Sequence, residues 1–143
     1  CGGRLSVVAI GVDLGERRTG VARSAVGFAM PVCTLTKERK DSDRVRRLIR
    51  IGQEHEATCF VVGLPLEMDG NMGAAAQRAT DFARRLGERS GLPVHLIDER
   101  LSSVEAAEAL QASGVRPKDR KAVLDQAAAV IILQNWLDRE ARG

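Results

Sequence analysis

A change of hydrophobic period near residue 40 limits the possible folds more than any other feature of the chain. Before it, three apolar segments follow one another: Val7–Asp13 (VVAIGVD), Gly20–Ser24 (GVARS) and Ala29–Thr36 (AMPVCTLT). The connection Gly15-Glu16-Arg17-Arg18-Thr19-Gly20 is too short for a crossover, so the first two strands are expected to pair antiparallel. Pro31 cannot donate to a ladder, which suits the third segment to a sheet edge. From Asp41 the apolar residues Val45, Leu48, Ile49 and Gly52 recur at helical spacing and predict a helix over 41–56. Two further strands, Cys59–Leu64 and Val94–Asp98, then alternate with helices. These are predicted over Ala74–Glu88 (apolar face Ala75, Ala79, Phe82, Ala83, Leu86), over Val104–Gln111 with Ser102 or Ser103 as cap, and over 119–139. The order β-β-β-α-β-α-β-α-α predicts an α/β fold, a mixed five-stranded sheet with helices on both faces, in a single domain over residues 5–140.

Composition excludes several classes of function. At 143 residues the chain can bury one core of ordinary size. Aromatic residues make up 3 %, too few for a platform of stacked rings, so any nucleic acid would be held by charge and backbone contacts. Cys1, Cys33 and Cys59 are odd in number and far apart, which argues against a zinc site or a disulfide framework; Cys33 and Cys59 are expected as small buried hydrophobes. The run Val7–Val12 is too short for a signal sequence and no run reaches transmembrane length, so a cytoplasmic, membrane-free protein is expected. The opening Cys1 in place of Met reads as a trimmed chain.

The chemistry rests on acids. Asp13 closes the first strand before a glycine-containing turn, where it either caps the turn or is aimed into a crevice at the sheet edge. Asp98 and Glu99 lie at the end of the fifth strand. Alternation puts Asp98 on the face of Val94 and Leu96 and Glu99 on that of His95 and Ile97, unless both belong to a solvated strand end paired with Arg100. The inner stripe of the last helix is read as Leu124, Ala127 or Ala128, Ile131 and Asn135. Asp125 heads the neighbouring series Ala128, Ala129, Ile132 and Trp136, so it lies on or beside an inward face, where a carboxylate needs a positive partner. His55 and His95, the only imidazoles, are read as surface or packing residues.

These residues carry a recognisable pattern. Gly11–Ala22 (GVDLGERRTGVA), Ala29–Thr36, Val61–Gly73 (VVGLPLEMDGNMG), Asp98–Glu105 (DERLSSVE) and Leu124–Asp138 (LDQAAAVIILQNWLD) follow one another in the order seen in the YqgF/RuvX family. The chain resembles this bacterial family of Holliday-junction resolvases and pre-16S ribosomal RNA nucleases over residues 7 to 138. The resemblance implies an RNase H-like fold and a metal-dependent endonuclease of structured nucleic acid. It acts either on the 5′ end of pre-16S rRNA in ribosome biogenesis or on four-way DNA junctions in recombination. It also implies a catalytic and metal-binding set of Asp13, Glu99 (with Asp98 beside it) and Asp125. Ala25 and Glu67 depart from the family's usual Asp and Asn, outside that acidic set. Such a carboxylate set suits Mg²⁺ or Mn²⁺, which prefer oxygen ligands.

Basic residues flank the acids. Arg17 and Arg18 border the Asp13 turn, Arg100 follows Glu99, and Arg116, Lys118, Arg120 and Lys121 precede Asp125. All seven are expected at a nucleic-acid backbone. A third cluster, from Lys37 to Arg50, also reads as a solvated helix face. Junction resolution calls for two symmetric cuts and hence a homodimer, with the helix around Trp136 as its candidate interface; trimming an RNA end does not. Two rivals stay open: a non-catalytic ribosome-maturation factor, and a nucleotide-binding fragment of the actin-like or sugar-kinase type, whose Asp-x-Gly opening is similar.

Overall fold

The computed structural model describes residues 7–15, 17–65, 72–98 and the helix at 120–142, the last with its side chains from 126 to 140. Five strands form one sheet: β1 (Ala9–Leu14), β2 (Thr19–Ala25), β3 (Phe28–Leu35), β4 (Cys59–Leu64) and β5 (Val94–Asp98). Their order is β3-β2-β1-β4-β5. The first three are antiparallel neighbours, while β1–β4 and β4–β5 are parallel, so the expected mixed sheet and its antiparallel opening are both present. β3 lies at the edge, as Pro31 requires, and the β2–β3 register shifts between Val21 and Ala22, opposite the Pro31–Cys33 stretch.

Three helices cover the sheet among the described residues: α1 (Asp41–Glu54), α2 (Ala74–Ser90) and α3 (Arg120–Arg142). Alternation along the strands sorts the core into two unlike halves. On the α1/α2 face Ile10, Val12, Val21, Phe60 and Val62 meet Val45, Leu48, Ile51, Phe82 and Leu86, all buried. On the α3 face the strands present small side chains, Ala9, Ala22 and Cys59 among them, to Ala129, Ile132 and Leu133. The helix predicted over Val104–Gln111 falls outside the described residues.

Several expectations about helix faces are corrected. Ala75 is exposed and Ala76 is buried in its place, because Ala76, Ala79, Phe82, Ala83 and Leu86 form the continuous inward stripe of α2. Ile51 is an inward residue of α1, and Ile49 only flanks the core. In α3 the stripe through Ile131 and Asn135 is turned too far: Asn135 is exposed and the buried residues are Ala128, Ala129, Ile132 and Leu133. That is the series that Asp125 heads. Cys59 is buried and Cys33 half-buried, both as free thiols, and desolvation raises the pKa of each, which keeps them protonated and unreactive at neutral pH. Among the described residues no helix is long and apolar enough to cross a membrane.

α3 lies unusually close to β1. A Cβ placed on Gly11 would lie 2.7 Å from Leu133 Cβ and 3.1 Å from the Ala129 carbonyl oxygen, so only glycine lets the helix approach this closely. Gly11→Ala should therefore force helix and strand apart and cost about 2 kcal/mol, the usual scale of core overpacking. Urea denaturation measures this directly, and an unchanged midpoint would show that α3 yields without loss.

Candidate active site

Asp13 sits on β1 opposite Gly20 of β2, and Gly20 is in turn opposite Thr34 of β3. The three form one row across the sheet near the C-terminal end of β1. Asp13 does not close the strand as expected: Leu14 still pairs with Thr19, and Asp13 is half-buried within the ladder. Its position on β1 matches that of Ala9 and Gly11, so it belongs to the α3 face. Gly15 N–H donates to the Arg18 carbonyl at 2.9 Å and closes the turn that follows.

Two side-chain hydrogen bonds fix the direction of α3 over this row. Gln126 Nε2 donates to Thr34 Oγ1 at 3.0 Å, and Gln134 Oε1 accepts from the Ala29 amide at 2.9 Å. Thr34 belongs to the Asp13 row and Ala29 to the opposite end of the sheet, so α3 runs antiparallel to β1 with its N-terminal part over Asp13. The Gly11 contact agrees. Asp13 is two residues, roughly 7 Å, beyond Gly11 along the strand. Position 125 is one turn, about 6 Å, before Ala129 along the helix. The backbone of α3 at 125–126 is thus level with Asp13.

Asp98 ends β5, paired with Leu64 of β4. It lies at the same edge of the sheet as Asp13, two strand spacings or roughly 10 Å away. Ile97 and His95 belong to the α3 face, where Ile97 is buried and His95 stacks on Trp136 with ring centroids 5.1 Å apart. Asp98, by alternation, is on the α1/α2 face with Val94. The structure therefore does not bring Asp98 and Asp13 together on one face. Glu99 lies outside the described residues, as do the side chain of Asp125 and residues Arg100, Arg116 and Lys118 and the side chains of Arg120 and Lys121. No group of three or more His, Cys, Asp or Glu able to hold a metal occurs among the described residues, which include only Asp13 of the expected ligand set. Arg17 is exposed and Arg18 half-buried beside the Asp13 turn.

The basic run from Lys37 to Arg50 is not one solvated face. Arg46 and Arg50 are exposed, whereas the Arg44 side chain is 1 % exposed. Spacing carried the signal: Arg44, Leu48 and Ile51 fall at i, i+4 and i+7 on the inward stripe of α1. A buried guanidinium needs compensation. Arg44 Nε donates to the Glu38 carbonyl at 3.1 Å and its Nη1 donates to Asp41 Oδ1 at 2.9 Å. Asp41 also accepts from Arg78 of α2 at 2.9 Å, so one carboxylate ties the start of α1 to α2. The Arg78 hydrogen bond, opposed by partial burial and aided by the charges of Arg78 and Arg44, holds the Asp41 carboxyl below the ordinary carboxylate range.

Comparison with known proteins fits this architecture. Thermus thermophilus RuvC in complex with a Holliday junction substrate superposes with a TM-score of 0.58 over 94 % of this chain and 96 % of RuvC, at 16 % identity. The likeness shows the fold: a mixed five-stranded sheet of the RNase H-like class. The sequence is more specific. Residues 7–139 match the family model RuvX, "Holliday junction resolvase". The "Putative pre-16S rRNA nuclease" of Rhodococcus jostii is 45 % identical over 139 residues, covering 93 % of this chain and 78 % of the relative. That of Anaeromyxobacter dehalogenans is 44 % identical over 134 residues, covering 92 % and 97 %. The chain belongs to the RuvX family, and it is a nuclease, a hydrolase of phosphodiester bonds.

The Asp41 linkage gives a signed expectation for stability. A carboxyl whose folded pKa is depressed adds stability above its unfolded value, about 3.9, and loses it as pH falls through the folded value. Arg78→Met should therefore lower the urea midpoint at neutral pH, and the gap to the unsubstituted protein should shrink as pH falls from the unfolded value, about 3.9, through the lowered folded one. A gap independent of pH would mean that Arg78 acts through packing alone.

Proposed function

We propose that the chain is a Mg²⁺- or Mn²⁺-dependent endonuclease of structured nucleic acid, with Asp13, Glu99 and Asp125 forming one acidic site at the sheet edge. The observation that carries the reading is the course of α3, whose backbone at position 125 lies level with Asp13 on the same face of the sheet. Asp13 itself, half-buried on a rigid strand, has the restricted mobility that a ligating carboxylate needs. Within the pair at the end of β5, Glu99 is preferred to Asp98 because Asp98 belongs to the opposite face. The donor set is all oxygen, which fits hard divalent cations, and Asp13, Glu99 and Asp125 would hold them. Bound there, such ions neutralise charge on a scissile phosphate and make water a better nucleophile. The protein's own part is to fix the carboxylates and to keep the helix seated over them. Arg17, Arg18, Arg100, Arg116, Lys118, Arg120 and Lys121 would hold flanking phosphates without reading sequence.

Precursor 16S rRNA is the first substrate to test, because relatives at 44–45 % identity bear that name. A four-way DNA junction is the second, from the family description, and would call for a homodimer. Either substrate fits a cytoplasmic site of action.

Asp13→Asn preserves size and removes the charge. It should abolish most cleavage while nucleic-acid binding persists, and Glu99→Gln and Asp125→Asn should match it. Residues of one site act as a unit, so a double variant should be little worse than the worst single variant. Asp98→Asn should keep its activity. Single-turnover cleavage of both substrates, with and without chelator, checks each point; wild-type rates from Asp13→Asn or in excess chelator would refute the site. Substituting Ca²⁺ should support binding but poor cutting.

A further inference from the structure

A second site lies at the same edge of the sheet but in the other layer. A cavity of about 460 Å³ is lined by Arg17, Thr36, Arg39 and Arg44. We propose that this cavity receives a backbone phosphodiester of the nucleic-acid substrate, distinct from the one cut beside Asp13. The inference rests on the nuclease reading and adds a phosphate contact that neither the acidic site nor the basic residues before Asp125 provide.

The lining carries the chemistry. Among the described residues the lining consists of three guanidinium groups and one hydroxyl, all of them hydrogen-bond donors, with no carboxylate or aromatic side chain among those described. Such a wall repels cations and gives a base nothing to stack on. It suits an anion with several acceptor oxygens, which arginine matches in paired geometry. Arg44 is the fixed part: buried and held through Nε and Nη1 by the Glu38 carbonyl and Asp41, it contributes a charge that does not wander. Arg17 and Arg39 are exposed and long enough to close on a phosphate from two sides.

Topology makes the ligand part of a strand rather than a free ion. Arg17 stands in the β1–β2 turn, four residues after Asp13, and Thr36 directly follows β3. Thr19 pairs with both Leu14 and Leu35, so turn and strand end adjoin across β2. Asp13 belongs to the α3 face, whereas Arg44 belongs to the inward face of α1 on the other side of the sheet. A nucleic-acid strand crossing this edge would meet the acids on one side of the β1–β2 turn and the arginine cavity on the other. The cavity would then set where along the strand the cut falls.

The test uses the Asp13→Asn protein in chelator, so that binding is read apart from cleavage, with a labelled precursor-rRNA hairpin and a four-way DNA junction as probes. Adding Arg17→Gln and Arg39→Gln should weaken binding about tenfold and reduce the slope of log K against log salt by about one. A single neutral methylphosphonate walked along the bound strand should cost affinity at one position in the parent, and that cost should vanish in the arginine variant, the mark of a direct pair. An unchanged slope with an undiminished methylphosphonate penalty would overturn the assignment while leaving the nuclease reading intact. So would inorganic phosphate that raises the Tm of the parent alone while oligonucleotide binding is the same in both proteins, since the cavity would then hold a free anion. Failure of the parent to bind either nucleic acid would overturn both readings.

Discussion

The seating of α3 on β1 is the contact on which the rest depends. Helix and sheet usually stand apart by the thickness of interleaved side chains. Here Gly11 contributes none, and Ala129 and Leu133 rest almost on the strand backbone. The neighbouring positions are of the same kind, with Ala9, Ala22 and Gly20 on the face that α3 covers. A larger residue at any of them would lift the helix and widen the gap between Asp13 and position 125. The small side chains therefore give up hydrophobic burial, which scales with apolar area, in exchange for a short fixed distance between strand and helix.

That exchange is possible because the two faces of the sheet divide the work. The α1/α2 side holds the bulky residues Phe60, Phe82, Leu48, Leu86 and Ile51, all fully or nearly fully buried. Among the described residues it holds the larger and bulkier of the two core clusters. The α3 side leaves Asp13 half-buried at its rim, reachable by solvent and by charged ligands. Polar anchors replace bulk there: Gln126 to Thr34 and Gln134 to Ala29 and the Gly27 carbonyl hold α3 in rotation and in register. A substitution on the first face would act through folding alone, whereas one on the second would also change how α3 is seated over Asp13.

The order of the described elements, the edge position of β3 and the antiparallel opening were legible in the sequence because hydrophobic period, turn length and Pro31 each constrain the backbone locally. Strands β4 and β5 fall where the apolar runs place them, at Cys59–Leu64 and Val94–Asp98. Helix rotation was less legible. In α3 every residue from Ala127 to Leu133 is apolar, so period alone cannot tell the stripe through Ile131 from the one through Ile132; only the sheet it packs on decides. In α1 the charge of Arg44 masks an inward position, because a guanidinium is read as solvated unless its partners are known. Those partners, Glu38 and Asp41, lie within six residues of Arg44, but Arg78, which shares Asp41, lies 37 residues beyond it. The common edge of Asp13 and Asp98 followed from strand order, whereas their separation onto two faces needed the alternation of β5 to be anchored by Ile97 and by the His95–Trp136 stack.

Charge at this edge differs between the two layers. On the α3 side the backbone at position 125 lies level with Asp13, and the carboxylates of the proposed site, brought close there, would attract cations. Arginines on the α1 side are drawn together around a cavity, and Asp41 is spent on holding Arg44 and Arg78 rather than on filling that cavity. If Asp41 faced the cavity directly, it would offset one of the three guanidinium charges of the described lining and weaken its pull on an anion. Placed behind Arg44, it fixes one guanidinium in position and leaves the remaining positive charge of the lining facing solvent. On the proposed reading, a polyanion passing over the edge would be drawn to arginine alone in the α1 layer, whereas in the α3 layer cutting would depend on cations held by the acids, so the cavity would serve binding and the acids cleavage.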